Sequence, residues 1–166
     1  NQAATQCWRL AMENVETPTA LIFSRQAIKD LPESVDYIGV EKGAYEIVKE
    51  EHPDVILLAS GSEVSTLVDT LPLLQEKKIK ARVISCPSEG LFRRQSAEYQ
   101  EKLLPADAKV FALTAGLPAT FEGLVGSNGY IYGLDHFGYS APYQVLDDKL
   151  GFTPQQVADK IIDFVK

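Results

Sequence analysis

Val55-Ile56-Leu57-Leu58-Ala59 is an unbroken apolar run of strand length. A strand with one wet face alternates apolar and polar residues, so a run without polar members must be covered on both sides. Strands of that kind are central members of parallel sheets, with helices packed above and below. The residues around the run agree. Ser60-Gly61-Ser62-Glu63 leads into a pattern that sets Val64, Leu67, Val68 and Leu71 on one helical face. Ser60 and Glu63 have capping-box spacing, and Ser62 is an equally good cap. Pro72 is expected to kink or end that helix.

Further strand-length runs occur at 45–48, 81–85, 110–113 and 130–134, with a polar helical stretch at 95–104. Two helices close the chain. The second is announced by Thr153-Pro154-Gln155-Gln156: an N-cap, a proline at the first helical position and a capping-box glutamine. Its apolar face is Ala158, Ile161, Ile162 and Val165. Strands alternating with helices predict an α/β fold with a mostly parallel sheet joined by helical crossovers.

The first 38 residues read differently. Ala4, Cys7, Trp8, Ala11 and Val15 recur at helical spacing, predicting a helix over 2–14 that Pro18 closes. Residues 19–23 are apolar and β-preferring, and are expected to form a strand. Residues 24–38 contain Pro32, several charges and no period, and read as a linker. One helix and one strand cannot bury two faces by themselves, so residues 1–26 read as the tail of a preceding domain. The sequence opens without Met and directly in helical amphipathicity, as a piece of a longer protein would.

Composition narrows the function. The 166 residues carry a net charge of −7, with a pI near 4.8. That disfavours nucleic acid and anionic membrane surfaces, which attract basic patches. No apolar segment has the length of a membrane span, and no secretory signal opens the sequence. Cys7 and Cys86 are far apart among apolar neighbours and read as reduced core residues of a cytoplasmic protein.

Catalytic constellations are scarce. His52 lies in a charged turn, Glu50-Glu51-His52-Pro53. His136 follows Asp135 at a strand end, where acid–base work is conceivable but a hydrogen-bonded loop histidine is favoured. No Cys or His pair has metal-ligand spacing. Ser60-Gly61-Ser62, between a strand and a helix start, offers a weak anion site, although capping and a tight turn account for the same residues. Arg93-Arg94 is a phosphate candidate or a solvated helix start. Tyr130, Tyr132, Phe137, Tyr139 and Tyr143 line a pocket or, more simply, pack a core or interface. Arg25 stands apart. In Leu21-Ile22-Phe23-Ser24-Arg25-Gln26 a guanidinium directly follows the apolar run, so it suits a phosphate or carboxylate, or an ion pair with a neighbouring domain.

These landmarks, in order, resemble the C-terminal part of bacterial-type transketolases over almost the whole length. The matching residues are Pro18-Thr19-Ala20-Leu21-Ile22 with Ser24-Arg25-Gln26, then Ala59-Ser60-Gly61-Ser62-Glu63-Val64 and Ala81-Arg82-Val83-Ile84-Ser85 with Pro87-Ser88. Phe92, Gln95, Leu103-Leu104-Pro105, Phe137-Gly138, Ser140-Ala141-Pro142 and Gly151-Phe152-Thr153 complete them. The resemblance implies a three-layer α/β domain over 39–166, with a five-stranded, mostly parallel sheet that has one antiparallel strand. It implies that 1–38 is the tail of the pyrimidine-binding domain plus a linker.

The function implied is that of a transferase of the pentose phosphate pathway. It moves a two-carbon ketol unit from a ketose phosphate to an aldose phosphate, using thiamine diphosphate and Mg2+ or Ca2+ in a cytoplasmic homodimer. Arg25 falls where the family binds substrate phosphate. The catalytic histidines, cofactor-activating glutamate and Gly-Asp-Gly metal motif of the family have no counterpart here. The piece is therefore expected to bind no cofactor or metal, to contribute no catalytic residue and to be inactive alone. Thr114 stands where the family typically has an acidic residue. Residues 117–125 diverge, and Pro72 interrupts a helix usually free of proline. Two alternatives stay open from the residues: a stand-alone anion-binding or assembly module, and a related thiamine enzyme such as deoxyxylulose-phosphate synthase.

Overall fold

A computed structural model describes residues 2–31 and 37–166. Five strands, β1 (Tyr45–Val48), β2 (Val55–Ala59), β3 (Ala81–Ser85), β4 (Val110–Leu113) and β5 (Tyr130–Tyr132), form one sheet in the order β1-β3-β2-β4-β5. β2 pairs in parallel with β3 and β4, β4 pairs in parallel with β5, and β1 is the antiparallel edge. β2 is the central strand and every one of its residues is buried. Its alternation divides the core into two layers. Val55, Leu57 and Ala59 join Leu67, Leu74, Val157 and Ile161 on one face. Ile56 and Leu58 join Phe92, Leu103 and Phe121 on the other.

The helices α1 (Gln2–Glu13), α2 (Ser62–Glu76), α3 (Glu89–Arg93), α4 (Ala97–Leu103), α5 (Tyr143–Leu150) and α6 (Pro154–Val165) complete the chain, with 3-10 turns at Tyr37–Lys42 and Pro118–Phe121. The α2 and α6 residues lie in the first layer, the α3 and α4 residues in the second. The fold is therefore a three-layer α/β arrangement around a mixed five-stranded sheet, as expected. Thr153 caps α6 by accepting from the Gln156 N–H, as its motif predicts. Ser88 and Ser96 cap α3 and α4 in the same way.

Several local expectations fail for physical reasons. Residues 19–23 form no strand; the chain's sheet offers them no partner, and an unpaired extended segment is not a strand. α2 runs through Pro72 to Glu76. Pro72 is exposed, on the solvent side of a helix whose other side buries Leu67 and Leu74, so tertiary burial outweighs the missing bond. The predicted box at Ser60–Glu63 does not form: the N-cap is Gly61 at φ 61°, with no side-chain cap bond. The 95–104 helix is shorter, beginning after Ser96, and α3 precedes it as a separate turn. β5 stops at Tyr132, before residues 133–134. Of the predicted 24–38 linker, 32–36 lie outside the described residues, and a 3-10 turn begins at Tyr37.

Candidate functional site

The parallel strands end together, and the loops that leave them enclose a crevice. Ser60-Gly61 follow β2, Ser85 ends β3 and Thr114 follows β4. β2 is connected onward to β3 on one side of it, while β4 leads to β5 on the other. The strand order therefore reverses between β2 and β4, and the loops leaving them diverge. A cleft of about 770 Å3 opens there, bounded by the strand ends, Tyr37 and Tyr45, α1 and the irregular segment 20–31. Lys29 fastens that segment to α2 through an ion pair with Asp69 Oδ2 at 2.8 Å.

The helix start beside the cleft is filled from within the chain. Glu63 lies in the first turn of α2, and its carboxylate accepts from Ser62 Oγ at 3.1 Å. Burial nonetheless pushes the Glu63 carboxyl up from its ordinary range, and nearby Asp147 pushes the same way. A helix N-terminus already neutralised by a carboxylate does not invite an external anion. The Ser60–Ser62 turn is thus a poor phosphate site. Sequence reasoning missed Tyr45, Ser85 and Thr114 as lining residues, because only the strand order brings their hydroxyls to one cleft.

Arg25 is exposed at the end of the 20–24 segment, and none of the ion pairs and hydrogen bonds of the described residues uses its side chain. Neighbouring Ser24 and Gln26 line the cleft; Arg25 does not. None of the other candidates lines the cleft. His52 is exposed and its backbone N–H donates to Glu50 Oε1. His136 is exposed, with Nδ1 2.8 Å from the Phe137 carbonyl and its ring against Tyr139. Arg93 donates to the Glu122 carbonyl at 2.7 Å, which ties α3 to the loop after Phe121. Tyr130 and Phe164 pack at tilted angles around Phe111, and Tyr132 packs on Phe152 while donating to the Leu150 carbonyl at 2.6 Å. Phe137 and Tyr139 remain exposed. Cys7 and Cys86 are free thiols, and burial pushes Cys86 up to about 12. Among the described residues no three His, Cys, Asp or Glu side chains are grouped to hold a metal. No described helix is long and apolar enough to cross a membrane.

A family model for the transketolase-like TK C-terminal domain matches residues 43–153. The chain belongs to the transketolase C-terminal domain family. The transketolase of Halalkalibacterium halodurans is 42% identical over 154 residues, covering 90% of this chain and 23% of its own length. The solved transketolase of Leishmania mexicana superposes with a TM-score of 0.89 at 32% identity, over 99% of this chain and 24% of that one. A transketolase of Pichia stipitis, in complex with sedoheptulose-7-phosphate, does so at 0.87 and 31%, over 98% of this chain and 24% of that one. The chain thus spans about a quarter of the length of the transketolases it matches. The mixed five-stranded sheet is the transketolase C-terminal arrangement.

Proposed function

We propose that this chain forms the C-terminal part of a thiamine diphosphate-dependent transketolase, which transfers a two-carbon ketol unit between sugar phosphates in a cytoplasmic homodimer. The observation that carries this is the match to transketolases along nine-tenths of the chain, well beyond the domain model at 43–153. Residues 1–38 are then the tail of the pyrimidine-binding domain with its linker, and 39–166 the C-terminal domain. The surface supports that division. α1 contains no buried residue, and Trp8, Met12, Val15, Ile22 and Phe23 are all exposed. An apolar surface of this kind suits packing against another domain.

Thiamine diphosphate and its metal supply the carbanion chemistry when bound, and the rest of a full-length enzyme would hold them; the described residues of this chain form no site for that metal. The chain alone is therefore inactive on this reading. Arg25 is its one substrate contact. Its guanidinium is exposed and uncommitted, and a planar fork of donors grips phosphate oxygens bidentately. Charged hydrogen bonds of that sort contribute about 1.5–3 kcal/mol. In the full-length enzyme, Arg25→Ala should therefore raise the KM for phosphorylated donors by roughly 10- to 100-fold with little change in kcat. Steady-state kinetics with phosphorylated and unphosphorylated donors tests this. An unchanged KM for the phosphorylated donor removes Arg25 from substrate binding.

A further inference from the structure

The crevice at the strand ends has no part in the transferase chemistry proposed above, and its lining has a chemistry of its own. The registers Ala59↔Ser85 and Ala59↔Leu113 bring Ser60, Ser85 and Thr114 to nearly one level on three adjacent strands. Ser85 is buried opposite Tyr45, its register partner on β1. Ser60 is half-buried, and its hydroxyl has no partner among the described residues. Thr114 Oγ1 accepts from the Gly116 N–H at 3.0 Å, which leaves its own proton to donate. Tyr37 and Tyr45, with ring centroids 6.2 Å apart, provide an aromatic wall. The volume of about 770 Å3 lies within the usual span of small-molecule sites.

Charge decides the class of occupant. Lys29 and Asp30 are the ionisable lysine and carboxylate on the walls, and the Lys29 ammonium is already held by Asp69. The positive end of α2 is offset by Glu63, and Asp147 adds a second carboxylate nearby. Arg25 is not on the walls. A phosphate or carboxylate entering the crevice would lose its hydration and meet no uncommitted cation. An uncharged ligand meets no such penalty, and its hydroxyls find donors and acceptors at Ser60 and Thr114.

We propose that this crevice binds an uncharged, hydroxyl-bearing small molecule: a free sugar, or the sugar end of a nucleoside whose base lies on the tyrosine wall. The site does not use Arg25, but more than half of its lining belongs to residues 3–31, which the transketolase reading assigns to a preceding domain, so the proposal concerns this chain with that segment seated as it is here.

The test is titration of the 15N-labelled 166-residue chain with ribose, adenosine and AMP, followed by amide chemical shifts. Saturable shifts at Ser60, Gly61, Ser85 and Thr114 are expected with a Kd on the order of 1 mM. Tighter binding of adenosine than of ribose assigns the nucleoside; equal binding assigns the sugar alone. AMP, the same molecule with added negative charge, should bind more weakly than adenosine. Thr114→Val, which removes one hydroxyl at nearly constant shape, should weaken binding about fivefold. Ser60→Phe should abolish binding while the spectrum stays dispersed. Absence of saturable shifts with both ribose and adenosine overturns the proposal. So does AMP binding at least as tightly as adenosine, or undiminished binding in Thr114→Val.

Discussion

Arg82 shows how much one side chain secures in this domain. From β3, its Nε and Nη2 donate to the Glu50 carbonyl at 3.1 and 2.8 Å, and Nη1 donates to the Lys102 carbonyl at 3.3 Å. Glu46 Oε1 lies 3.4 Å from Nε, and the Arg82 side chain is only 13% exposed. One guanidinium thus joins the end of β1, β3 and the end of α4. Arg82→Met should cost about 2–3 kcal/mol in urea unfolding, since carbonyls lose charged donors in a sheltered place. Lysine, with a point charge instead of a fork, should not restore it. Glu63 behaves in the opposite sense. Burial first, and Asp147 second, hold its carboxyl above the ordinary value of 4.5. The folded state therefore keeps the Glu63 proton to higher pH than the unfolded chain does. That contribution to stability falls as pH rises from the ordinary value through the raised one, and the penalty is complete above it. Glu63→Gln should be more stable than the parent at about pH 8, with the difference vanishing below about pH 4, where both side chains are neutral. Thermal unfolding across that range checks the sign.

At the scale of elements, α2 records a contest between propensity and burial. Proline in a helix interior is about 3 kcal/mol less favourable than alanine, yet α2 continues past Pro72 because Leu67 and Leu74 are fully buried on either side of it. Pro72→Ala should restore an N–H donor on the exposed face and raise stability by about 1–3 kcal/mol, read as a higher urea midpoint with an unchanged slope. A neutral or destabilising outcome would mean that the ring itself packs. The same contest explains what the sequence reveals and what it hides. β2 is legible because an all-apolar run states its own two-sided burial, and α6 because Thr153-Pro154-Gln155-Gln156 carries its cap locally. Residues 19–23 are not, because a strand depends on a partner, and β propensity does not say whether one is present. The α2 cap misleads because Glu63 and a left-handed Gly61 take the place that a serine motif advertises. The strand-end crevice is the least legible part. Ser60, Ser85 and Thr114 are ordinary residues until the order β3-β2-β4 makes them neighbours.

For the molecule as a whole, the question is where the independently stable unit begins. Among the described residues, the buried members of both core layers begin at Val40, and residues 2–31 contribute none. Ala3, Cys7, Leu10 and Leu31 reach the first layer only as partly buried neighbours, and Arg9 adds an exposed 3.4 Å contact to Glu41. Against this small gain, the same segment presents Trp8 stacked on Phe23 and leaves both more than half exposed. Partly buried contacts of this extent stabilise by about 2–3 kcal/mol, so a 39–166 version should keep one cooperative transition. Its midpoint should fall by roughly 5–10 °C. It should also bind less hydrophobic dye and self-associate less at high concentration, since the exposed apolar segment is gone. Calorimetry with sedimentation velocity on the two lengths measures both effects together. Loss of the cooperative transition would instead make residues 1–38 part of the domain's own core, and the division at 38 would be wrong. Retained cooperativity with reduced association places the adhesive surface on the first segment, as the proposed packing against a preceding domain requires.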